Sequence, residues 1–203
     1  MSAAETIVDP PTQKGAQSRE TILAAAIDRF GRDGFRSTSV ADIARDANVS
    51  GTLAYAYFDN KRALFLAALD ADIAALVEEG VSSVLETPGD QTWRGSLIYT
   101  LIEALDHRPL ARRMLAGLEP EAADRIVELQ AMEDLRAAVA ARLRADQDAG
   151  LVRAEIDAET VGHGIVGIFI TMLLAAVQFG IDGAAGQARE MLAVIEAAVD
   201  PPT

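Results

Sequence analysis

TSVADIARDANVSGTLAYAYFDNKRAL, residues 38–64, carries two sets of helix punctuation in one short stretch. Ser39 can cap a helix that begins near Val40, and Asp42, three residues on, can cap it back. Val40, Ile43, Ala44 and Ala47 then recur on one apolar side at helical spacing. Asn48 tolerates the left-handed conformation that stops a helix and turns the chain. Val49 plugs the angle that follows, and Ser50 supplies a fresh N-cap for a helix of about two turns running to Phe58. So short a helix is unstable alone and must dock on its neighbours. The upstream stretch offers the surface, because Ile22, Leu23, Ala26, Ile27 and Phe30 recur on one helix face. The expectation is a small domain of three helices.

GFRSTSVADIARDANVS (34–50) followed by YAYFDNKRALF (55–65) resembles the N-terminal DNA-binding domain of TetR-type transcriptional regulators. The resemblance spans roughly residues 19–66 and combines more elements than a bare helix-turn-helix pattern. It implies an all-α fold: a three-helix helix-turn-helix DNA-binding domain, plus a larger helical domain that binds an effector and carries the dimer contact. The domain limits expected are 1–17 for a flexible N-terminal arm, 18–64 for the DNA-binding domain and 65–200 for the effector-binding and dimerisation domain. The implied partners are double-stranded DNA with a palindromic operator, a small-molecule effector and a second copy of the chain.

Composition fits this picture. In 203 residues, 50% are apolar, enough for two modest cores, and the abundance of Ala and Leu favours helix over strand. Without cysteine, neither a disulfide framework nor a Cys-based zinc or redox site can form. Residues 1–17 contain Pro10 and Pro11 and no signal-peptide apolar core, so a polar arm is expected there. Lys14 and Arg19 can let it touch phosphates, and a tail without a role explains it as well. A net charge of −13 is unfavourable for approach to a polyanion, but residues 14–62 hold eight Lys and Arg against six Asp and Glu. The head is therefore mildly basic and the remainder acidic, which suits specific short-range docking and disfavours indiscriminate adhesion to DNA. An acidic surface kept for solubility accounts for the remainder equally well.

The resemblance places Ser50, Gly51, Thr52, Leu53, Tyr55 and Tyr57 on the helix that enters the major groove, in a gapless register from the Ser50 cap. In that register Gly51 replaces a frequent phosphate- or base-contacting side chain, Leu53 replaces a hydroxyl-bearing one and Ala54 underfills a core position. Tyr55 and Tyr57 each pair an apolar ring with a hydroxyl able to reach DNA, and packing within the three-helix core is the alternative for both. Leu53 can lie against a thymine methyl. Phe58 is expected in the core. Asn60 and Lys61 open the next helix, where backbone N–H groups and an ammonium can hold a phosphate; a lysine is otherwise unfavourable at that end of the helix dipole. Thr38 and Ser39 can meet a phosphate similarly, or simply cap.

Beyond Arg62 a helix continues through Leu64, Phe65, Ala68, Leu69, Ile73, Leu76 and Val77, linking the two domains, until Thr87-Pro-Gly-Asp breaks it. Helices are expected near Thr92 to Asp106, Pro109 to Gly117 and Pro120 to Ala149. Asp157 then caps a helix containing GIVGIFITMLLAAVQF (164–179), shorter than the roughly 20 residues that span a bilayer. A buried helix is expected, with no membrane partner. The last helix, Gly183 to Val199, joins it in a four-helix bundle with a second copy, giving a homodimer through the last two helices. Effector contact is expected among Trp93, Tyr99, Met132, His163, Phe169 and Met172, with core packing or surface exposure as the alternative at each. For His163, between two glycines, a neutral core histidine is the leading alternative.

The expected function is a bacterial, cytoplasmic, ligand-responsive transcriptional regulator, a repressor released from its operator by a small, largely apolar effector. Neither HExxH, nor GxSxG, nor a P-loop occurs, so no catalytic residue, metal or cofactor is expected. The alternative is a helical ligand-binding or interaction scaffold with a weakened DNA-reading head, suggested by Gly51, Leu53 and Ala54.

Overall fold

The computed structural model describes residues 13–85, 92–120 and 129–201. Within them the chain forms α1 (Gln13–Ser37), α2 (Val40–Asp46), α3 (Gly51–Tyr57), α4 (Lys61–Leu85), α5 (Trp93–Leu105), α6 (Pro109–Leu115), α7 (Gln130–Asp148) and α8 (Ala158–Val199), and no strand among the described residues. Two compact units result, Met1–Ala68 and Leu69–Thr203, with the division inside α4. The architecture is all-α, a helix-turn-helix domain followed by a larger helical domain.

In the first unit the apolar stripe of α1 is buried as its spacing requires. Ile22, Ala26 and Phe30 are closed off from solvent together with Ile43, Leu64 and Phe65. Phe30 meets Phe65 edge-on with ring centroids 5.1 Å apart, and Phe35 approaches the same ring at 5.0 Å. Such pairs contribute about 0.5–1.5 kcal/mol each beyond the area they bury. Gly34 allows Phe35 to turn in: at φ 79°, ψ 166° it interrupts α1 with a conformation that side chains rarely adopt. Arg29 braces α1 against α2 through Asp46 at 2.9 Å. The helix begins at Gln13, so the last residues of the expected arm are helical instead. Residues 1–12 and the side chain of Lys14 lie outside the described residues.

In the second unit α8 packs on α5, α6 and α7. Gly162 sets the closest approach, since a Cβ there would stand 3.2 Å from the Ala140 backbone. Asp157 caps α8 by accepting the Thr160 N–H at 2.7 Å. Gly180, at φ 76°, ψ 161°, breaks α8 into stretches 158–179 and 181–199. By length and apolar composition alone α8 matches a membrane-crossing helix. Its Ile165, Val166, Phe169, Met172 and Leu173 are nevertheless buried within the helical body.

One expected element differs. The helix anticipated from Pro120 to Ala149 is interrupted at Leu129, which is extended at φ −72°, ψ 134° and buried; α7 follows from Gln130, and residues 121–128 lie outside the described residues. Leucine is a strong helix former, so propensity gave no warning; burial of its side chain fixes the bend. The anticipated break at Thr87-Pro-Gly-Asp lies outside the described residues.

Candidate DNA interface and effector cavity

The turn between α2 and α3 is built by the residues that punctuate it. The Ser39 hydroxyl accepts the Asp42 N–H at 3.1 Å and donates to the Asp42 carboxylate at 2.6 Å. The return half of the cap therefore closes on the serine hydroxyl, whereas a capping box closes on its backbone N–H. That donated hydrogen bond, followed by Arg45, holds the Asp42 carboxyl below its ordinary 3.8. Asn48 sits at φ 54°, turning the chain out of α2. Ser50 then accepts the Leu53 N–H at 3.1 Å and starts α3.

With the helix start fixed, the side chains of α3 sort by burial. Ala54 and Phe58 are buried, Gly51, Leu53 and Tyr57 are half-buried, and Thr52, Tyr55 and Ala56 are exposed. Tyr55, at 56% exposure, is excluded from the core. Ala56 escaped the sequence reading, because an alanine among aromatic residues carries no chemical signal and only the helix phase reveals that it faces out.

Thr38 departs from the expectation of a phosphate contact. Its side chain is buried and its hydroxyl donates to the Gly34 carbonyl at 2.8 Å, satisfying an acceptor left where α1 is interrupted. Lys61 also has an internal role. Its ammonium donates to the Thr38 carbonyl at 2.9 Å and lies 4.4 Å from the centre of the Phe35 ring. A carbonyl and an aromatic face offset the unfavourable position at the start of α4, so an anionic partner is not required to explain the lysine. Asn60 caps α4 through the Ala63 N–H at 2.9 Å.

The six residues expected at an effector do not converge. Met132 and Phe169 line a cavity of about 50 Å³ inside the second unit, together with Ile73, Leu76 and Val77 of α4 and Met114 of α6. Every lining side chain among the described residues is apolar. Trp93 lies elsewhere, fully buried, its indole N–H donating to Asp146 at 3.0 Å. Asp146 also accepts from Arg142 at 2.9 Å, and Arg142 donates to the Val84 carbonyl at 2.8 Å, so the tryptophan belongs to a buried polar network. Tyr99 and Met172 line a surface groove with Ala184, Ala188 and Leu192 of α8. His163 is exposed on α8, contrary to both the core and the effector reading, because its helix turns that position away from the packed side. The aliphatic residues that do line the cavity were invisible as such in sequence, where ligand-facing and core leucines look alike.

The family model described as "Bacterial regulatory proteins, tetR family" matches residues 22–68, the capped helices and α4 start just described. Residues 22–68 are therefore similar to the DNA-binding domain of TetR-family regulators. The likeness to TetR-family proteins extends beyond the matched segment. An HTH-type transcriptional regulator of Bacillus subtilis, YdgC, whose role is uncharacterised, is 29% identical over 184 residues, covering 88% of this chain and 91% of its own. A TetR-family regulator from Mesorhizobium loti shares the fold with a TM-score of 0.71 at 20% identity, over 94% of this chain and all of the other. SmeT of Stenotrophomonas maltophilia, solved as a complex with triclosan, gives a TM-score of 0.63 at 20% identity, over 91% of this chain and 92% of its own. The proteins that it resembles over most of its length are named as transcriptional regulators.

Proposed function

We propose that the chain is a homodimeric repressor that binds a palindromic operator through α3 and is released by a small, largely apolar effector. The observation that carries the reading is α4. Its first turns, with Lys61, Leu64 and Phe65, are built into the DNA-binding unit, and Ile73, Leu76 and Val77 of the same helix line the apolar cavity. An occupant that favours one position of those three side chains favours one position of α4. Operator affinity then changes by no more than the occupant's preference between the two states. The cavity's lack of polar side chains favours an uncharged occupant, since a buried charge would find no partner there. SmeT, which shares the fold, holds triclosan.

Dimerisation through α8 is supported by large apolar side chains left in water: Phe179 is 70% and Val194 62% exposed on α8, and Tyr99 of α5, on a groove shared with α8, is 67% exposed. A two-fold axis through α8 would present two α3 helices to successive major-groove turns about 34–36 Å apart. A phosphate contact by Lys61 shares an ammonium that already donates to the Thr38 and Arg36 carbonyls, with Ser39 next in sequence to Thr38. The cytoplasm is the compartment such a regulator works in.

The test is selection of bound sequences from random duplex DNA, followed by titration of the best sequence at two salt concentrations with and without a panel of uncharged apolar compounds. A palindrome bound by a dimer and released by one compound supports the reading. A folded dimer that enriches no sequence overturns it in favour of a ligand-binding scaffold, and a compound that tightens binding overturns release as the mechanism.

A further inference from the structure

The outward face of α3 presents a threonine and an alanine, flanked by a tyrosine and a leucine. Taking buried Ala54 as the inward pole, a step of about 100° per residue puts Thr52 and Ala56 opposite it, with Tyr55 and Leu53 on the flanks. Thr52 and Ala56 are exposed, as that geometry requires. The helix is GTLAYAY, without Arg, Lys, Asn, Gln, Asp or Glu. At its start Gly51 offers no side chain, although the space around its Cβ position is open. The Ser50 oxygen accepts the Leu53 N–H, and the nearby Arg45 is held by Asp42 at 3.0 Å.

Base edges in the major groove are read with few chemistries. Guanine takes a bidentate Arg or Lys, adenine a bidentate Asn or Gln, cytosine an Asp or Glu, and thymine an apolar contact to its 5-methyl group. The first three are missing from α3. What remains is the fourth, aided by single hydrogen bonds from the Thr52 and Tyr55 hydroxyls. Small side chains at the crown also let the helix backbone come close to the bases, where a methyl-to-methyl contact excludes water.

We infer that α3 reads thymine by its methyl group, with Thr52 Cγ2 and Ala56 Cβ as the central contacts, so that each operator half-site holds thymine at the base pairs beneath them. The inference rests on the proposed docking of α3 in the major groove of an operator. It names which bases that docking selects.

The experiment starts from the operator enriched by the full-length protein. Each thymine of the half-site is replaced in turn, in both halves at once, by deoxyuridine, which removes the methyl and nothing else. At one or two positions affinity should fall about fourfold per methyl, and so about fifteenfold for the symmetric pair. Cytosine at those positions should bind worse than 5-methylcytosine, which restores the methyl. Thr52→Ser and Ala56→Gly should each reduce the thymine-to-uracil ratio at one of these positions. Reading the ratio makes the result independent of any general loss of helix stability. An operator indifferent to uracil but weakened by 7-deazaguanine, which lacks the N7 acceptor, overturns the inference and leaves the repressor reading standing. Failure to enrich any operator removes both.

Discussion

Buried charge separates two kinds of residue that look identical in sequence. Arg142 and Asp146 stand four apart on α7, the spacing of an ordinary solvated helix pair, yet both are more than nine-tenths buried. Their partners explain the burial: the Trp93 indole N–H on one side and the Val84 carbonyl on the other tie together α4, α5 and α7. Asp146→Ala would leave the Arg142 guanidinium buried without its carboxylate, and by urea unfolding it should cost about 3–5 kcal/mol. Replacing both members by apolar residues, Arg142→Met with Asp146→Leu, should cost less than that single change. A double variant as unstable as the sum of its parts would show that each group acts independently. The same network takes up Trp93, for which core packing is the alternative to effector contact, since an isolated tryptophan in a sequence does not say whether its N–H serves a ligand or the fold. The outward side of α3 is more legible. Ser39, Asn48 and Ser50 fix helix phase by local hydrogen bonding, and phase decides which of the next seven side chains face out.

Helix ends repeat this contrast between local and distant determinants. Ser39, Ser50, Asn60 and Asp157 cap the helices that follow them, and all four are within a few residues of the N–H groups they serve, which is why sequence spacing suffices to find the starts of α2, α3, α4 and α8. The start of α6 has no such cap. Its first N–H groups, of Leu110 and Ala111, are accepted at 3.0 and 2.8 Å by Asp72, a buried residue of α4. No local pattern could announce that pairing. Asp72→Ala should destabilise the protein by about 1–3 kcal/mol by leaving both donors unmet, and Asp72→Asn, which keeps one acceptor oxygen, should cost less. Equal losses in thermal unfolding would assign the effect to packing. The local caps carry a pH signature as well. The Thr160 N–H holds the Asp157 carboxyl below its ordinary 3.8, and the Ser39 hydroxyl does the same for Asp42. A lowered folded value means that each contribution is fully present above the ordinary value and disappears as pH falls through the lowered one. Stability should therefore decline below about pH 4. Asp157→Asn, which caps without titrating, should make that decline shallower; an unchanged acid limb in circular dichroism would place the proton uptake elsewhere.

For the whole molecule, the distribution of apolar surface bears on the proposed dimer. The apolar residues of α8 divide by face: Ile165, Val166, Phe169, Ile195 and Val199 are buried, whereas Phe179, Ile181 and Val194, on either side of Gly180, stand in water at 70%, 59% and 62% exposure. Exposed side chains of this size, beside a groove floored by Ala184 and Ala188, make a surface that a second copy can cover with the same residues, as a two-fold interface requires. The small residues allow close helix approach, and the large ones supply the area removed from water. Val194→Glu would place a charge in that interface on both copies at once, facing its own symmetry mate or a desolvated apolar neighbour. By sedimentation it should shift the protein from dimer towards monomer by at least tenfold in dissociation constant. Operator affinity should fall with it, because a monomer contacts one half-site and forfeits the second contact. Thr171→Glu, at an exposed position on the earlier stretch of α8, is the control and should leave the dimer intact. If Val194→Glu remains dimeric and Thr171→Glu does not, the two-fold face lies on the earlier stretch of α8 instead.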